Sequence, residues 1–139
     1  MITQLNAYLN FNGRCREAMT FYQQCLGGEL TMQKIAETPF AVQMPSEAGI
    51  NILHSSLTKD GVLLMMGSDV IGENLQQGNS VVLCLKCSTD EEMYKFFANL
   101  SAGGEVKMPL HQSFWGATYG ELTDKFGMLW KFIRSNNQG

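Results

Sequence analysis

The stretch Cys15–Leu30, CREAMTFYQQCLGGEL, decides the fold prediction because it joins a helix, a helix stop and the start of a strand. Its apolar residues recur at spacings of three and four over the first twelve positions, which predicts an amphipathic helix with one buried stripe. Gly27 and Gly28 follow directly, and a glycine with positive φ commonly closes the last turn of a helix. A strand is predicted to begin immediately after this pair.

The second half of the chain repeats the same arrangement. Ala102–Val106 reads AGGEV where the first half reads LGGEL, and it also follows a helical pattern. Ser88 and Glu91 have the spacing of a capping box at the start of that second helix. The apolar stripe of the second helix consists of Met93, Phe96, Phe97 and Leu100. The repeated order of helix, stop and strand predicts an internal duplication.

Two further segments match each other. LTKDGVLL at Leu57–Leu64 resembles LTDKFGMLW at Leu122–Trp130, and each contains a glycine suited to the left-handed backbone of a hairpin turn. The strands are predicted near residues 4–11, 29–36, 51–58, 62–67, 80–87, 105–108, 116–122 and 128–134. Each half therefore predicts one βαβββ unit.

The prediction is an α+β fold of two paired βαβββ modules that form a cupped mixed sheet around a shared cavity. Module 1 spans residues 1–69, a polar, glycine-bearing linker spans 70–79, and module 2 spans 80–139 of a single domain, 1–139. The alternative is a ferredoxin-like α+β sandwich, which also uses βαβ elements.

Composition limits the classes of partner. The 139 residues carry a net charge of −3 and no run of Lys or Arg, so nucleic acid is not an expected partner. No apolar stretch approaches the roughly 18 residues of a membrane span, and the N-terminus lacks the features of a signal peptide. A cytoplasmic location with no membrane partner is therefore expected.

The four cysteines are interpreted as structural thiols in a reducing compartment. Cys84 and Cys87 have C-x-x-C spacing, but they lie in SVVLCLKCS, which has the pattern of a buried strand. A redox C-x-x-C normally opens a helix, whose N-terminus lowers the thiol pKa. No second Cys/His pair completes a zinc site.

Four segments carry a resemblance to a known family: YLNFNGRCREAMTFY, LGGEL, NILHSSL and FWGATYGELTDKFGMLW. With them the chain resembles the PhnB-type family of the glyoxalase/bleomycin-resistance/extradiol dioxygenase (vicinal oxygen chelate) superfamily. The resemblance implies paired βαβββ modules, a homodimer and a pocket in the cupped sheet. Members have been labelled ubiquinone-pathway methyltransferases, yet no Gly-rich strand–helix nucleotide motif occurs in this sequence.

The resemblance also implies where a metal would bind. Enzymes of the superfamily hold a divalent ion with four His or Glu side chains, and the matching positions fall on or beside Ala7, Met65, Val82 or Leu83, and Lys131. Aliphatic, thioether and ammonium groups do not hold a hard cation. The expectation is therefore no metal and no other cofactor.

A rearranged metal site is the alternative. The only histidines are His54 and His111, and with Glu121 they supply the residue types of a 2-His-1-carboxylate set. Such a set favours a metal-dependent lyase or dioxygenase. No Ser, Cys or Lys nucleophile motif occurs, so whether the protein is an enzyme stays open.

The leading interpretation is a protein that binds a small molecule in the cupped sheet. Aromatic side chains with polar tips are typical of small-molecule pockets, and Lys131 attracts an anion if it points inward. The ligand-binding candidates are His54, Met65, Trp115, Tyr119, Glu121 and Lys131. The rings alternatively pack a module junction, Lys131 is alternatively a surface lysine, and a dimeric interaction protein without a ligand is the remaining alternative.

Overall fold

The protein forms two compact units, Met1–Gln76 and Gln77–Gly139, in a computed structural model that describes residues 3–37, 51–70 and 74–135. Among these residues no helix is both long and apolar enough to cross a membrane. Much of the predicted linker, 70 and 74–79, is described, whereas 71–73 and 38–50 lie outside the described residues.

The first unit contains one helix and a four-stranded mixed sheet. Its elements are β1 (Tyr8–Phe11), α1 (Cys15–Leu26), β2 (Glu29–Lys34), β3 (Ile52–Lys59) and β4 (Val62–Asp69). The strand order is β1-β4-β3-β2, with β1 parallel to β4 and the other pairs antiparallel. A single 3₁₀ turn, Ile35–Glu37, follows β2.

The second unit has the same topology. Its elements are β5 (Leu83–Lys86), α2 (Asp90–Ser101), β6 (Glu105–Gln112), β7 (Ala117–Thr123) and β8 (Leu129–Ser135). The strand order β5-β8-β7-β6 again has one parallel pair, β5 with β8. The predicted α+β fold of two βαβββ modules is confirmed, and the ferredoxin-like alternative, which places two helices on one sheet, is wrong.

Both predicted hairpin turns are present. Asp60 and Gly61 have φ values of 52° and 79°, and Gly127 has a φ of 86°. These positive φ values are accessible to glycine without strain and tolerated by aspartate. The sequence match between the two hairpins therefore reflects a shared backbone requirement.

Helix α1 depends on a residue distant in sequence. Arg14, at its N-cap, makes no side-chain capping bond. The carboxylate of Asp69 instead accepts hydrogen bonds from the Cys15 amide and from the Ile52 amide, each at 2.9 Å. An anion at a helix N-terminus satisfies an orphan amide and complements the helix dipole. Asp69 thereby joins α1, β3 and β4.

Helix α2 is capped one residue later than predicted. The Thr89 hydroxyl accepts from the Glu92 amide at 3.1 Å, and the Glu92 carboxylate accepts from the Ser88 amide at 3.3 Å. Ser88 and Thr89 are both suitable N-caps, and three acidic residues follow them, so the sequence allowed a capping box to begin at either residue. The predicted pair of Ser88 and Glu91 is therefore corrected to Thr89 and Glu92.

Each sheet has a helix face and, on its other side, a face that we call the open face. In the first unit Ser55 Oγ lies 3.5 Å from Cys15 Sγ in α1, and a Cβ on Gly67 would lie 3.1 Å from Met19 Sδ. Because side chains alternate along a strand, Met65 also lies on the helix face, where it is 3% exposed. Met66 is therefore on the open face.

The sheet of the second unit also has a helix face and an open face. The Phe97 ring of α2 contacts Phe132 with centroids 5.0 Å apart, which places Phe132 and Trp130 on the helix face. Both are buried, at 0% and 3% exposure. Lys131 lies between them in sequence and is exposed, so it is on the open face.

Three strand boundaries differ clearly from the prediction, and one of them is the start of β5, at Leu83 rather than near residue 80. β1 begins at Tyr8 rather than near residue 4, and Leu5 in front of it is fully exposed. β6 continues to Gln112, so His111 is a strand residue rather than the predicted loop residue. Pro109 is tolerated in β6 because β6 is an edge strand whose register shifts on either side of Met108.

Candidate functional site

A row of four side chains crosses the open face of the second sheet. Cys84 pairs with Lys131, Lys131 with Glu121, and Glu121 with Met108, across β5, β8, β7 and β6. Side chains paired in this way have Cβ atoms about 4.5–5.5 Å apart. The row therefore brings a thiol, an ammonium, a carboxylate and a thioether together on one surface.

The Glu121 carboxylate is held by a hydrogen bond from the same strand. Tyr119, two residues earlier and on the same face, donates its hydroxyl to Glu121 Oε2 at 2.6 Å. Burial, followed by the hydrogen bond and charge of Glu121, raises the pKa of Tyr119 to about 12. Tyr119 is consequently a neutral donor throughout the physiological pH range.

Aromatic rings extend this cluster toward the β6–β7 turn. The Trp115 ring meets the Tyr119 ring edge to face with centroids 6.1 Å apart, and the His111 ring approaches Tyr119 at 6.3 Å. His111 Nδ1 donates to the Pro109 carbonyl at 2.9 Å, because a carbonyl oxygen can only accept. Trp115 remains 49% exposed, which leaves ring surface available to a ligand.

The open face of the first unit is polar and different in character. Tyr8 pairs with Met66, Met66 with Ser56, and Ser56 with Thr31, so these four form the matching row. The Ser56 and Thr31 hydroxyls lie 2.8 Å apart. The Tyr8 hydroxyl lies 3.3 Å from Nδ1 of the exposed His54. This row carries no charged side chain.

The predicted site residues divide between the two units. Trp115, Tyr119, Glu121 and Lys131 lie on one surface of the second unit, and His54 lies on the open face of the first. Met65 is buried on the helix face, so it is corrected to its neighbour Met66. A one-residue change of register moves a strand side chain to the opposite face. His111 and Cys84 are additional members of the cluster.

The metal positions implied by the resemblance can now be placed. The open-face residues at or beside them are Tyr8 and Met66 in the first unit, and Cys84 and Lys131 in the second. In neither unit does the pair supply the oxygen and nitrogen donors of a hard divalent ion, because the first unit offers a phenol and a thioether and the second a thiol and an ammonium. Within residues 3–37, 51–70 and 74–135, no group of three or more His, Cys, Asp or Glu side chains is arranged to hold a metal.

None of the four cysteines, all of which lie within the described residues, forms a disulfide, and they differ in accessibility. Cys84 is exposed on the open face, whereas Cys15, Cys25 and Cys87 are buried. Burial raises the pKa of the Cys87 thiol to about 12 and that of Cys15 to about 11. Because the thiolate is the reactive form, the buried thiols are expected to be inert.

We therefore expect one thiol per chain to react quickly with a disulfide reagent at neutral pH. Substitution of Cys84→Ser should remove this fast phase, whereas Cys87→Ser should leave it unchanged. Denaturation should expose all four thiols of the wild type. Fast labelling of Cys87 in the native protein, or ready formation of a Cys84–Cys87 disulfide, would contradict the assignment.

The raised pKa of Tyr119 makes a second prediction. The Tyr119→Phe variant should lose a component of the tyrosinate absorbance titration that ionises near pH 12. Glu121→Gln should lower the pKa of Tyr119, because the charge it removes contributes to the shift. The neutral form of Tyr119 stabilises the fold fully below the unfolded pKa of about 10, and this contribution is lost as the pH rises toward 12. Tyr94→Phe, on the exposed surface of α2, is the matched control.

Comparison with known proteins agrees with this architecture. The model of a family described as 3-demethylubiquinone-9 3-methyltransferase matches residues 3–133. Protein YjdN of Escherichia coli (strain K12) is 33% identical over 138 residues, which covers 91% of this chain and 91% of YjdN. Protein PA1353 from Pseudomonas aeruginosa is 32% identical with a TM-score of 0.84, covering 96% of this chain and 98% of its own.

More distant structures share the fold. The PhnB protein from Bacillus cereus is 23% identical with a TM-score of 0.74, covering 96% of this chain and 100% of its own. FosX, a fosfomycin resistance protein from Listeria monocytogenes, was solved with Mn(II) and sulfate. It is 14% identical with a TM-score of 0.62, and the match covers 97% of this chain and 94% of the FosX chain. The chain therefore belongs to the family described as 3-demethylubiquinone-9 3-methyltransferase.

Proposed function

We propose that the protein binds a small organic molecule at the open face of its second unit and does so without a metal ion. The observation that supports this most strongly is the Tyr119–Glu121 hydrogen bond of 2.6 Å beside Lys131 and Trp115. Polar groups that converge next to exposed aromatic surface are typical of small-molecule sites. The hydrogen bond also fixes the direction of the carboxylate before any ligand arrives.

The proposal omits methyl transfer, although the family description names it. Cofactor-dependent transferases of the nucleotide-binding type use a Gly-rich turn between a strand and a helix. The full sequence contains no G-x-G-x-x-G motif. The side chains on the open face instead supply hydrogen bonding, one positive charge and an aromatic wall.

The rival function is a metal-dependent lyase or dioxygenase. FosX, which shares the fold, was solved with Mn(II), so the fold is compatible with metal chemistry. The donor set described above favours the metal-free alternative, because Lys131 is a cation and Met66 a thioether. A dimeric interaction protein without a ligand is the third reading.

A thermal-shift screen in the presence of EDTA separates these three functions. A molecule that binds the native state raises the melting temperature by mass action, and a metal-free site retains that shift in the chelator. Trp115→Ala should weaken binding of a hit about tenfold or more, since an aromatic anchor typically contributes at least about 1.4 kcal/mol. Tyr94→Phe, remote on α2, should bind like the wild type.

The outcomes are distinct. Shifts that vanish in EDTA and return with Mn(II) or Zn(II) would support the metal-dependent enzyme and overturn the proposal. No reproducible shift across a broad library would favour the interaction protein. Hits whose binding is unaffected by Trp115→Ala and Tyr119→Phe would place the site elsewhere and contradict the proposal.

We also propose that the protein is a homodimer in a reducing compartment, the cytosol. The four cysteines that form no disulfide support the compartment, because oxidising compartments favour disulfides. Large apolar side chains on the surface, including Phe114 at 100% exposure, support an interface. Sedimentation of a species with the mass of a single chain, 15.5 kDa, at micromolar concentration would contradict the dimer.

A further inference from the structure

We propose that Lys131 supplies the positive charge of the site and binds the anionic group of the ligand, which makes the ligand class a small organic anion with an apolar body. This inference rests on the proposed binding function. It follows because the side chains at the implied metal positions are not suited to binding a metal ion. At a position where the resemblance implies a metal ligand, this chain has Lys131, whose ammonium cannot coordinate a cation.

The charge of Lys131 is available for a ligand. In register it lies between Cys84 on β5 and Glu121 on β7. Glu121 Oε2 already accepts the Tyr119 hydroxyl. Among the residues that the structure describes, Lys131 makes no ion pair. A side-chain ammonium without a protein counter-ion is suited to binding a carboxylate or phosphonate.

A second ammonium has the same orientation. Lys86 lies two residues after Cys84 in β5, is exposed and pairs with Ile133, so it is also on the open face. The open face thus carries Lys131 on the central strand β8 and Lys86 on the edge strand β5, together with the carboxylates of Glu121 and Glu105. An anion bound at Lys131 would therefore have a second ammonium, that of Lys86, on the neighbouring strand.

The surroundings of Lys131 indicate the rest of the ligand. Leu129 and Ile133 flank it on the same face of β8, and both are partly buried. Ile133 pairs with Tyr119, whose ring contacts Trp115. Apolar and aromatic surface therefore surrounds the ammonium. A bare inorganic anion would leave this surface unused, whereas an aryl or alkyl carboxylate or phosphonate would cover it.

The test uses phenylphosphonate as the anionic probe and benzyl alcohol as a neutral aromatic probe of similar size, both in EDTA. Backbone amide NMR titrations of the full chain report both the affinity and the location of binding. Phenylphosphonate should shift amides of β7 and β8 around Lys131. Lys131→Met should weaken its binding about tenfold or more, Lys131→Arg should retain most of it, and Lys95→Met on the exposed surface of α2 should have no effect.

Ionic strength provides an independent reading. Added salt should weaken phenylphosphonate binding to the wild type and have little effect on any residual binding to Lys131→Met, because screening acts on the charge interaction. Since Lys131 is exposed, the variant is expected to fold, and its melting temperature checks this.

Three results would overturn the inference. Equal binding of phenylphosphonate to wild type and Lys131→Met would show that Lys131 does not bind the anion. Benzyl alcohol binding as tightly as phenylphosphonate would show that charge is not recognised, while leaving small-molecule binding intact. No perturbation by phenylphosphonate at millimolar concentration would remove the anion site, and the thermal-shift screen would then decide the broader function separately.

Discussion

Replacement of Gly104 by alanine is expected to lower the free energy of unfolding by about 3 kcal/mol or more. A Cβ at this position would collide with the Thr123 carbonyl oxygen and lie 2.9 Å from the Asp124 Cα and carbonyl carbon. These are backbone atoms, so no flexible side chain can move aside. The start of β6 approaches the end of β7 closely only because Gly104 has no side chain.

The first unit offers the equivalent position. Gly28 has a φ of +101°, and its Cβ would lie 2.6 Å from the Thr58 carbonyl oxygen, where β2 begins beside the end of β3. Gly28→Ala should therefore destabilise the protein as Gly104→Ala does. Gly78→Ala is the matched control, because no atom lies within 4 Å of its Cβ and it has no positive φ.

Denaturant unfolding followed by circular dichroism measures the free energy of unfolding of Gly104→Ala, Gly28→Ala and Gly78→Ala. Gly78→Ala should stay within about 0.5 kcal/mol of the wild type. A similarly small effect of Gly104→Ala would mean that the two strands do not approach as closely as described. The Gly pair shared by LGGEL and AGGEV would then be only a helix stop.

The second large effect is expected at Asp124, which is 3% exposed at the β7–β8 turn. Its Oδ1 accepts from the amides of Phe126 at 2.8 Å and Met128 at 3.1 Å, and its Oδ2 accepts from Trp130 Nε1 at 2.9 Å. Asp124→Ala would remove the carboxylate that accepts the indole N–H of the buried Trp130. We expect a loss of about 3 kcal/mol or more, since bonds to charged groups contribute about 1.5–3 kcal/mol each.

The other hairpin again provides the control. Asp60 is the turn aspartate of the first unit, is exposed and has a φ of 52°. Asparagine tolerates this left-handed conformation, so Asp60→Asn should change stability by no more than about 0.5 kcal/mol. Tryptophan fluorescence during guanidinium unfolding follows Trp130 directly. Equal stabilities of Asp124→Ala and Asp60→Asn would contradict the role assigned to Asp124.

Local signals made much of the fold predictable from sequence. The helix stripes, the Gly pairs and the glycine turns are properties of short segments, and they occur twice in the same order. It was harder to predict which residues of each strand lie on the open face. In β4 the run VLLMM does not alternate between apolar and polar residues, so the sequence does not indicate which of its side chains lie on which face of the sheet. The β3–β4 register also shifts between Leu57 and Thr58, and Met65 was consequently predicted where Met66 lies.

Long-range contacts explain the remaining differences. No property of residues 12–15 indicates that Asp69 satisfies the start of α1, because the partner is 54 residues away. The strand predicted near 105–108 continues past Pro109, because an edge strand with bulges accommodates proline, and His111 thereby lies beside Tyr119. In the candidate site, residue types were readable from sequence, whereas the hydrogen bond between Tyr119 and Glu121 required the fold.

Metal analysis of freshly purified protein, prepared without chelator, tests the central claim most directly. If neither Tyr8 and Met66 in the first unit nor Cys84 and Lys131 in the second supplies metal ligands, divalent ions should be present at far less than one equivalent per chain. Stoichiometric Mn, Fe, Ni or Zn that survives dialysis would contradict the account and restore the metal-dependent enzyme.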